Sequence, residues 1–597
     1  MKTNSALFAV CLFAFTCGMS AFGVNRYVSP DGSWKPEGDA TITHTTVNDA
    51  ISKANTGDTV YIQDGTVIDS GTGGTAVGYI YSRIYCSKAI TISSYSGDAD
   101  ESKGHGVYLV GEKGRPEATT IVDSLDDKTG ANSHAIRGLA SDGNAKFVGF
   151  ICSGGCTYKG QNGYTASYSH GGGGAMATGN AVFENCIFRN NVAGYGGGVY
   201  SRATSTDNMP TFRNCVITNN VAVYSAAGGG GLARYENCLI ANNTLSDTGA
   251  TSATECGGVR GRENASRAVL VNCTVASNDS TRGHCGGVMY TTCSNVVICG
   301  NVVTNGNGGG AYYSSLTDCQ VIGNEVYSQT SSSAGDGAGL CYSTATNCTI
   351  SANVNRGQYA DGAGAYSCQL VGCDINCNTT ENVGAGICFG AGDFCRNCVI
   401  TNNCSLNSAS GAYGAGTLSN CLIAGNVGRN PNGFSLFAAG ASGVKTWSGP
   451  EGARIVLENC TVVSNVTVTG KSSYKPFGGV WHAKMVNTIS WDNGTDNAGK
   501  QDGDISEATN CCCAVLTDKE AYPGCISSDP KFLGKGEFPY ALRMHSPCKD
   551  TALELPWMSD AADPRSTALD GHARILGKGP DMGCYEHLPL GLLFMVR

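Results

Sequence analysis

The chain has 597 residues, 84 of them glycine, and only 15% are charged, where ordinary proteins carry ~7% and ~25%. The glycines have no every-third period, which excludes collagen, and low charge with 31 cysteines excludes an ordinary disordered chain. A composition of Gly, Asn, Ser and Thr excludes helical solenoids and coiled coils, and a formal net charge of −9 without Lys/Arg runs excludes nucleic acid and disfavours a broad polyanion-binding surface.

In chain order, residues 1–23 read as an export signal, with Lys2, an apolar stretch Leu7 to Phe15 too short to span a bilayer, and Ala21-Phe22-Gly23 at the cleavage site. Export predicts a secreted, extracellular or outer-surface protein. Without Cys11 and Cys17, 29 cysteines remain, an odd number. Residues 24–145 read as a cap with opening coils. Tyr27-Val28-Ser29-Pro30-Asp31-Gly32 leads to a helix around Val47 to Asn55, then to the strand Gly57 to Ile62 and an Asp64-Gly65 turn.

From 146 to 500 one pattern recurs twelve times: Asn-Cys-x-(Ile/Val/Phe)-x-x-Asn, with variants. Its closing asparagines are Asn191, Asn220, Asn243, Asn278, Asn301, Asn324, Asn353, Asn378, Asn403, Asn426, Asn465 and Asn493, while Val296 and Thr488 replace the cysteine. Triplets of small residues such as Gly196-Gly197-Gly198 alternate with them. Successive cysteine slots lie 23 to 39 residues apart, so a coil takes about 23 residues and the excess lies in loops.

The two-residue period points Cys and Ile inward, and stacking of like slots every ~4.8 Å lets the asparagines form a side-chain ladder. Asparagine also tolerates the left-handed backbone of a tight corner. The prediction is an all-β protein, a right-handed single-stranded parallel β-helix of twelve coils and roughly 60 Å. Its cysteines read as small core hydrophobes. Cys395-x-x-Cys398 and Cys373-x3-Cys377 suggest metal, but each pair contains an inward ladder cysteine and lacks a ligand histidine.

From 501 to 587 the repeat gives way to a closing module containing Asp529-Pro530-Lys531-Phe532, Ser546-Pro547-Cys548 and Asp581-Met582-Gly583-Cys584-Tyr585-Glu586. Cys548 and Cys584 are candidates for a disulfide, as are Cys525 and one of Cys511 to Cys513, with independent free thiols as the alternative. The apolar tail 588–597 is too short to span a membrane and is a candidate sorting signal.

The Tyr-Val-Ser-Pro-Asp-Gly opening, the Gly-Asp-Thr-Val-Tyr-Ile strand and the coil repeat resemble the pectin-lyase-like β-helix superfamily. Phe188-Arg189-Asn190-Asn191 and the Gly-Gly-aliphatic triplets are similar to polymorphic outer-membrane protein repeats. The C-terminal series resembles the type Q choice-of-anchor domain of bacterial surface proteins. The chain departs from polymorphic outer-membrane proteins in having fewer than 100 residues after the last coil, too few for an autotransporter barrel. The resemblance implies a secreted or surface-attached bacterial protein.

Fold does not give function. Gly104-His105-Gly106 looks like a polygalacturonase histidine motif but precedes the repeat, Asp126 and Asp127 follow it, and Arg115-Pro116 lacks the second arginine of a pectate-lyase signature. The expected role is binding or adhesive, toward carbohydrate or another surface, by a monomer. The alternatives are a polysaccharide lyase or glycoside hydrolase, and an inert rod.

The residues preceding the small triplets form one more row: Gly171, Tyr195, Gly228, Glu255, His284, Asn307, Asp336, Asp361, Val383, Tyr413, Gly440 and Pro476. Glu255, His284, Asp336 and Asp361 are the catalytic candidates. Asn307 and the outward-facing Tyr312 and Tyr366 are the ligand-binding candidates. In register, Asp336 and Asp361 lie about 5 Å apart, a spacing that invites calcium, the one cofactor considered, or serves a retaining glycosidase.

Overall fold

A computed structural model describes residues 23–587 except 31–33, 35–42, 69–73, 77–79, 111–135, 158–170, 247–254, 264–266, 282, 328–334, 358–359, 407–408, 431–437, 444–453, 470–476 and 496–501. The proposed export signal and tail, Asp126, Asp127, Arg115-Pro116 and Pro476 lie outside the described residues, as do parts of the loops expected to wall the polar row.

A repeat coil contains four short strands, for example Val199–Ser201, Thr211–Arg213, Val216–Thr218 and Val221–Ala222. Each pairs in parallel with its counterpart one coil on, such as Val216↔Leu239 and Phe212↔Tyr235. One sheet accumulates 16 strands from Val67–Ile68 to Cys512–Cys513, another 12 from Val192–Ala193 to Gly494–Thr495. Residues 25–145 supply strands to the same sheets, as the opening coils expected there, Asn25–Val28 pairing with Thr59–Ile62 and Thr91–Ser94 with Lys146–Val148. At the far end Gly503–Thr509 and Cys512–Cys513 continue the ladders beyond residue 500. Fifteen steps of ~4.8 Å give a rod of about 72 Å.

The opening edge is covered by a helix, Val47–Lys53, which starts where Thr46 Oγ1 accepts the Asp49 N–H and which buries Val47, Ala50 and Ile51. The interior is a set of stacked rows. Phe147, Phe183, Phe212 and Tyr235 stack ring on ring at 5.2, 4.8 and 5.3 Å. The cysteine slots from Cys186 to Cys511 face the same core, and Cys319, at 2% exposure, donates its Sγ–H to Thr317 O at 3.2 Å. Val296 and Thr488 fit the slot equally well at 1% and 0% exposure. Burial raises the Cys368 thiol to about 12, so this core thiol stays protonated. Cys395 is inward together with Cys398, and the two thiols meet within the core, whereas Cys377 sits exposed at a corner away from the inward Cys373.

All twelve closing asparagines form one buried ladder. Asn191 Nδ2 donates to Asn220 Oδ1 at 2.9 Å, and the pattern repeats to Asn465 Nδ2 and Asn493 Oδ1 at 3.0 Å. The left-handed backbone expected of them belongs instead to the preceding residue: Asn190, Asn219, Asn242, Ser277, Gly300, Gly323, Ala352, Cys377, Asn402, Gly425, Ser464 and Asp492. The corner needs a positive φ at one residue and an inward amide at the next. A second ladder was not foreseen. The residue before each cysteine slot is itself left-handed, an asparagine in most coils and Asp318 or Gly372 in two, and Asn214 Nδ2 donates to Asn185 Oδ1, Asn237 to Asn214, and Asn295 to Asn272 along the surface.

This outer ladder seats the closing module. Asn397, Asn420, Asn487 and Asn510 donate side-chain N–H groups to the carbonyls of Pro564, Thr567, Leu553 and Thr551. Beside them Ala541, Cys584 and Tyr585 pack on Leu422, Ala424 and Val463. Of the two readings of the closing-module cysteines the free-thiol one is found: every described cysteine is free, Cys548 lies with Cys512 and Met582, and Cys584 lies in the separate Leu422 cluster. Cys525 Sγ accepts the Cys511 N–H at 3.4 Å and extends the cysteine row.

Candidate functional site

The polar row lies in register through the middle coils. Gly308 N–H donates to Asp336 O and Gly337 N–H to Asp361 O, at 2.9 and 3.0 Å. Its side chains are engaged in the stacking: Asn307 Oδ1 accepts the Asp336 N–H at 2.8 Å, and Asp336 Oδ1 accepts the Asp361 N–H at 3.0 Å. Asp361 Oδ1 also accepts Asn382 Nδ2 at 2.7 Å, and Tyr366 hydrogen-bonds Asp336. Burial raises the Asp336 carboxyl to about 6, and burial followed by the neighbouring Asp336 charge raises Asp361 to about 7. Glu255 is 4% exposed. The His284 ring stacks on Tyr312 with centroids 5.0 Å apart, and burial lowers its basicity. Among the described residues no three His, Cys, Asp or Glu side chains group as metal ligands. The register differs from expectation at three coils. Gly228 and Gly440 occupy the last position of the triplet, over Gly258 and Gly479, and Tyr413 pairs with Cys388 in the outward row.

That outward row reads Tyr200, Gly230, Arg260, Met289, Tyr312, Cys341, Tyr366, Cys388 and Tyr413. Tyr312 points away from the core as expected, but it is only 7% exposed, covered within a cluster with Cys256, Cys285, Met289 and Tyr290. Tyr366 is half-buried against the same cluster. Neither presents the open stacking face anticipated.

The residues one place further on reach the surface by their rims in two coils, Tyr313 and Tyr342. Tyr290, Tyr313 and Tyr342 adopt φ of 52°, 47° and 49°, in a left-handed slot that other coils fill with Gly231 at 84°, Ser367 at 49°, Gly414 at 118° and His482 at 53°. A bulky residue there costs about 1–3 kcal/mol. Their rings stack along the rod, 5.6 and 5.0 Å apart and within 17° of parallel, which returns roughly 0.5–1.5 kcal/mol per pair. Tyr313 and Tyr342 remain 38% and 37% exposed. Glycine would remove the strain, so the tyrosines serve something other than backbone geometry.

At the N-terminal end of this face a pocket of about 360 Å³ is lined by Tyr195, Tyr200, Arg202, Arg260, Arg262 and Glu263, among others. Three guanidinium groups against one carboxylate make it locally positive on an acidic protein. Arg202 also helps to lower the fully buried Arg137 beneath it to about 9, after burial itself. The Arg260 guanidinium lies 5.9 Å from the Tyr290 ring centre, joining the pocket to the tyrosine row. Sequence reading missed these arginines because they converge from separate coils. Arg260 alone had a signal, its place two residues past Gly258.

A family model described as "Right handed beta helix region" matches residues 175–354. The fold is a right-handed parallel β-helix. Among solved structures, the chain is similar to that titled "Crystal structure of pectate lyase Pel9A", at 13% identity and TM-score 0.22, over 95% of this chain and 97% of that one. It is similar also to "Structure of PL6 family alginate lyase AlyGC", at 10% identity and TM-score 0.18, over 82% and 84%. No curated protein matches the sequence. Among the described residues no helix is long and apolar enough to cross a membrane.

Proposed function

We propose that this is a secreted or surface-attached bacterial protein that binds carbohydrate, the closing module serving attachment as its choice-of-anchor resemblance implies. The observation that carries the reading is the pocket, where the half-buried Tyr195 ring, backed by the buried Tyr200, adjoins the guanidinium groups of Arg202, Arg260 and Arg262. Aromatic faces take the apolar sides of sugar rings, and arginine offers forked donors to hydroxyl, carboxylate or sulfate oxygens. A glycan array with the parent protein and an Arg202→Ala, Arg260→Ala double variant tests it. Binding by the parent that the variant loses supports the reading; a parent that retains no glycan refutes it.

A catalytic reading rests on Asp336 and Asp361, whose raised ionisation suits proton transfer near neutral pH. Against it, Asp336 is 6% exposed and both carboxylates already accept protein N–H groups. Reducing-sugar and unsaturated-product assays on array-positive glycans separate binding from turnover.

A further inference from the structure

We propose that the ligand is an extended glycan chain lying parallel to the rod axis, one sugar residue per coil, from the Tyr200 pocket to Tyr342. The inference rests on the carbohydrate-binding reading and adds the ligand's form and its second contact surface. In a β-helix every outward row repeats at the coil rise of ~4.8 Å, so a ligand that meets the same row in successive coils must repeat at a similar step. A β-linked glycan in extended form advances by a comparable distance per residue, whereas a compact or branched sugar does not.

The tyrosines supply the second contact. Tyr290, Tyr313 and Tyr342 occupy a left-handed slot in three consecutive coils, and Tyr313 and Tyr342 keep more than a third of their surface open. A strained side chain retained in consecutive repeats points to a use for the side chain itself. Stacked parallel to one another, the rings turn their rims outward, so the row repeats an apolar edge and a phenol at each coil. Arg260 against Tyr290 makes the path from the pocket continuous. Tyr200, Gly230, Arg260, Met289, Tyr312 and Cys341 mark six consecutive coils, and Tyr342 follows Cys341. Five steps give a track of about 24 Å, the length of a hexasaccharide.

The test is calorimetric titration of the full chain with β-linked oligosaccharides, neutral and carboxylated, from dimer to octamer. Affinity should climb with chain length and level off near the hexamer. Tyr313→Gly with Tyr342→Gly should weaken hexamer binding roughly ten-fold, leave dimer binding in the pocket unchanged, and keep or raise the melting temperature. Tyr313→Asn, which tolerates the same backbone, guards against a loosened loop and should weaken the hexamer in the same direction. Affinity that stays flat beyond the dimer, or tyrosine variants that bind the hexamer like the parent, overturns the axial track while leaving carbohydrate binding in place. A parent that binds no oligosaccharide and no glycan of the array overturns both.

Discussion

Asn353→Ala is the most searching test of what holds the rod together. Asn353 Oδ1 accepts both the backbone N–H and the Nδ2–H of Asn324, each at 3.0 Å, and its own Nδ2 donates to Val321 O and Asn378 Oδ1, also at 3.0 Å. Asn378 Oδ1 keeps the Asn353 backbone N–H after truncation. Asn324 loses an acceptor for two N–H groups, and Val321 O loses its side-chain donor, all inside a core where Asn353 has no exposed surface. At roughly 1–3 kcal/mol per orphaned group, the loss is about 3–6 kcal/mol once water in the vacated volume gives partial relief. The control is Asn347→Ala in the outer row, where φ is 54° and the side chain is exposed; alanine there costs about 1–2 kcal/mol of left-handed strain. Urea midpoints of both variants, followed by circular dichroism, give the comparison. If Asn353→Ala shifts the midpoint no further than Asn347→Ala, the inner ladder is not the stabilising element described.

The cysteine slot should tolerate a hydroxyl, because Thr488 already donates there to Val486 O at 2.9 Å and accepts the Cys460 N–H at 3.3 Å. Cys319→Ser should therefore cost about 1 kcal/mol or less, and a loss above about 3 kcal/mol in chemical denaturation would refute that equivalence. A membrane-impermeant thiol reagent should modify exposed Cys377 first and reach Cys319 or Cys348 only after unfolding, as peptide mapping would reveal. Stability should fall as pH rises from about 4 to 7, because folded Asp361 ionises at about 7 while an unfolded aspartate has already lost its proton near 3.9. The slope from this group is at most about 1.4 kcal/mol per pH unit, and Asp361→Asn should flatten a melting-temperature profile across that window; an unchanged profile would refute the assignment. Repeating that profile with calcium tests the pair as a cation site, a melting shift abolished in Asp361→Asn being the result that supports one.

The coil architecture was legible because two buried rows constrain residue identity at every turn. The cysteine slot admits only small side chains, and the asparagine slot needs a donor and an acceptor together. Where a slot asks only for backbone conformation, its identity drifts: the left-handed corner holds Asn, Ser, Gly, Ala, Cys or Asp, and no motif reveals it. Register failed at Gly414-Ala415-Gly416, which imitates the triplet that Ala409-Ser410-Gly411 supplies. The opening coils could not be counted from sequence because Val107 to Val110 and Phe150 to Ser153 form the right strands without the Asn-Cys signature. The polar row was correctly aligned from Glu255 to Val383, but sequence could not tell that Asn307 and Asp336 spend their oxygens on backbone N–H groups. The arginine pocket lay beyond any local pattern.

The two asparagine ladders point in opposite directions. Each inner amide donates toward the C-terminal end, from Asn191 onward, while the outer amides that pair donate back toward the N-terminal end, as Asn214 does to Asn185, in runs interrupted at Asp318 and Gly372. A long file of aligned amides accumulates a dipole, each bond polarising the next. Where the outer runs lie beside the inner file, the two oppose one another's fields, so the outer amides offset part of the inner file's dipole. The inner file is also terminated at both extremes: Gly155 N–H meets the first acceptor on Asn191, and Ser490 Oγ accepts from the last donor on Asn493. Coils can thus be inserted or deleted between those terminators without leaving an amide of the inner file unpaired at either end.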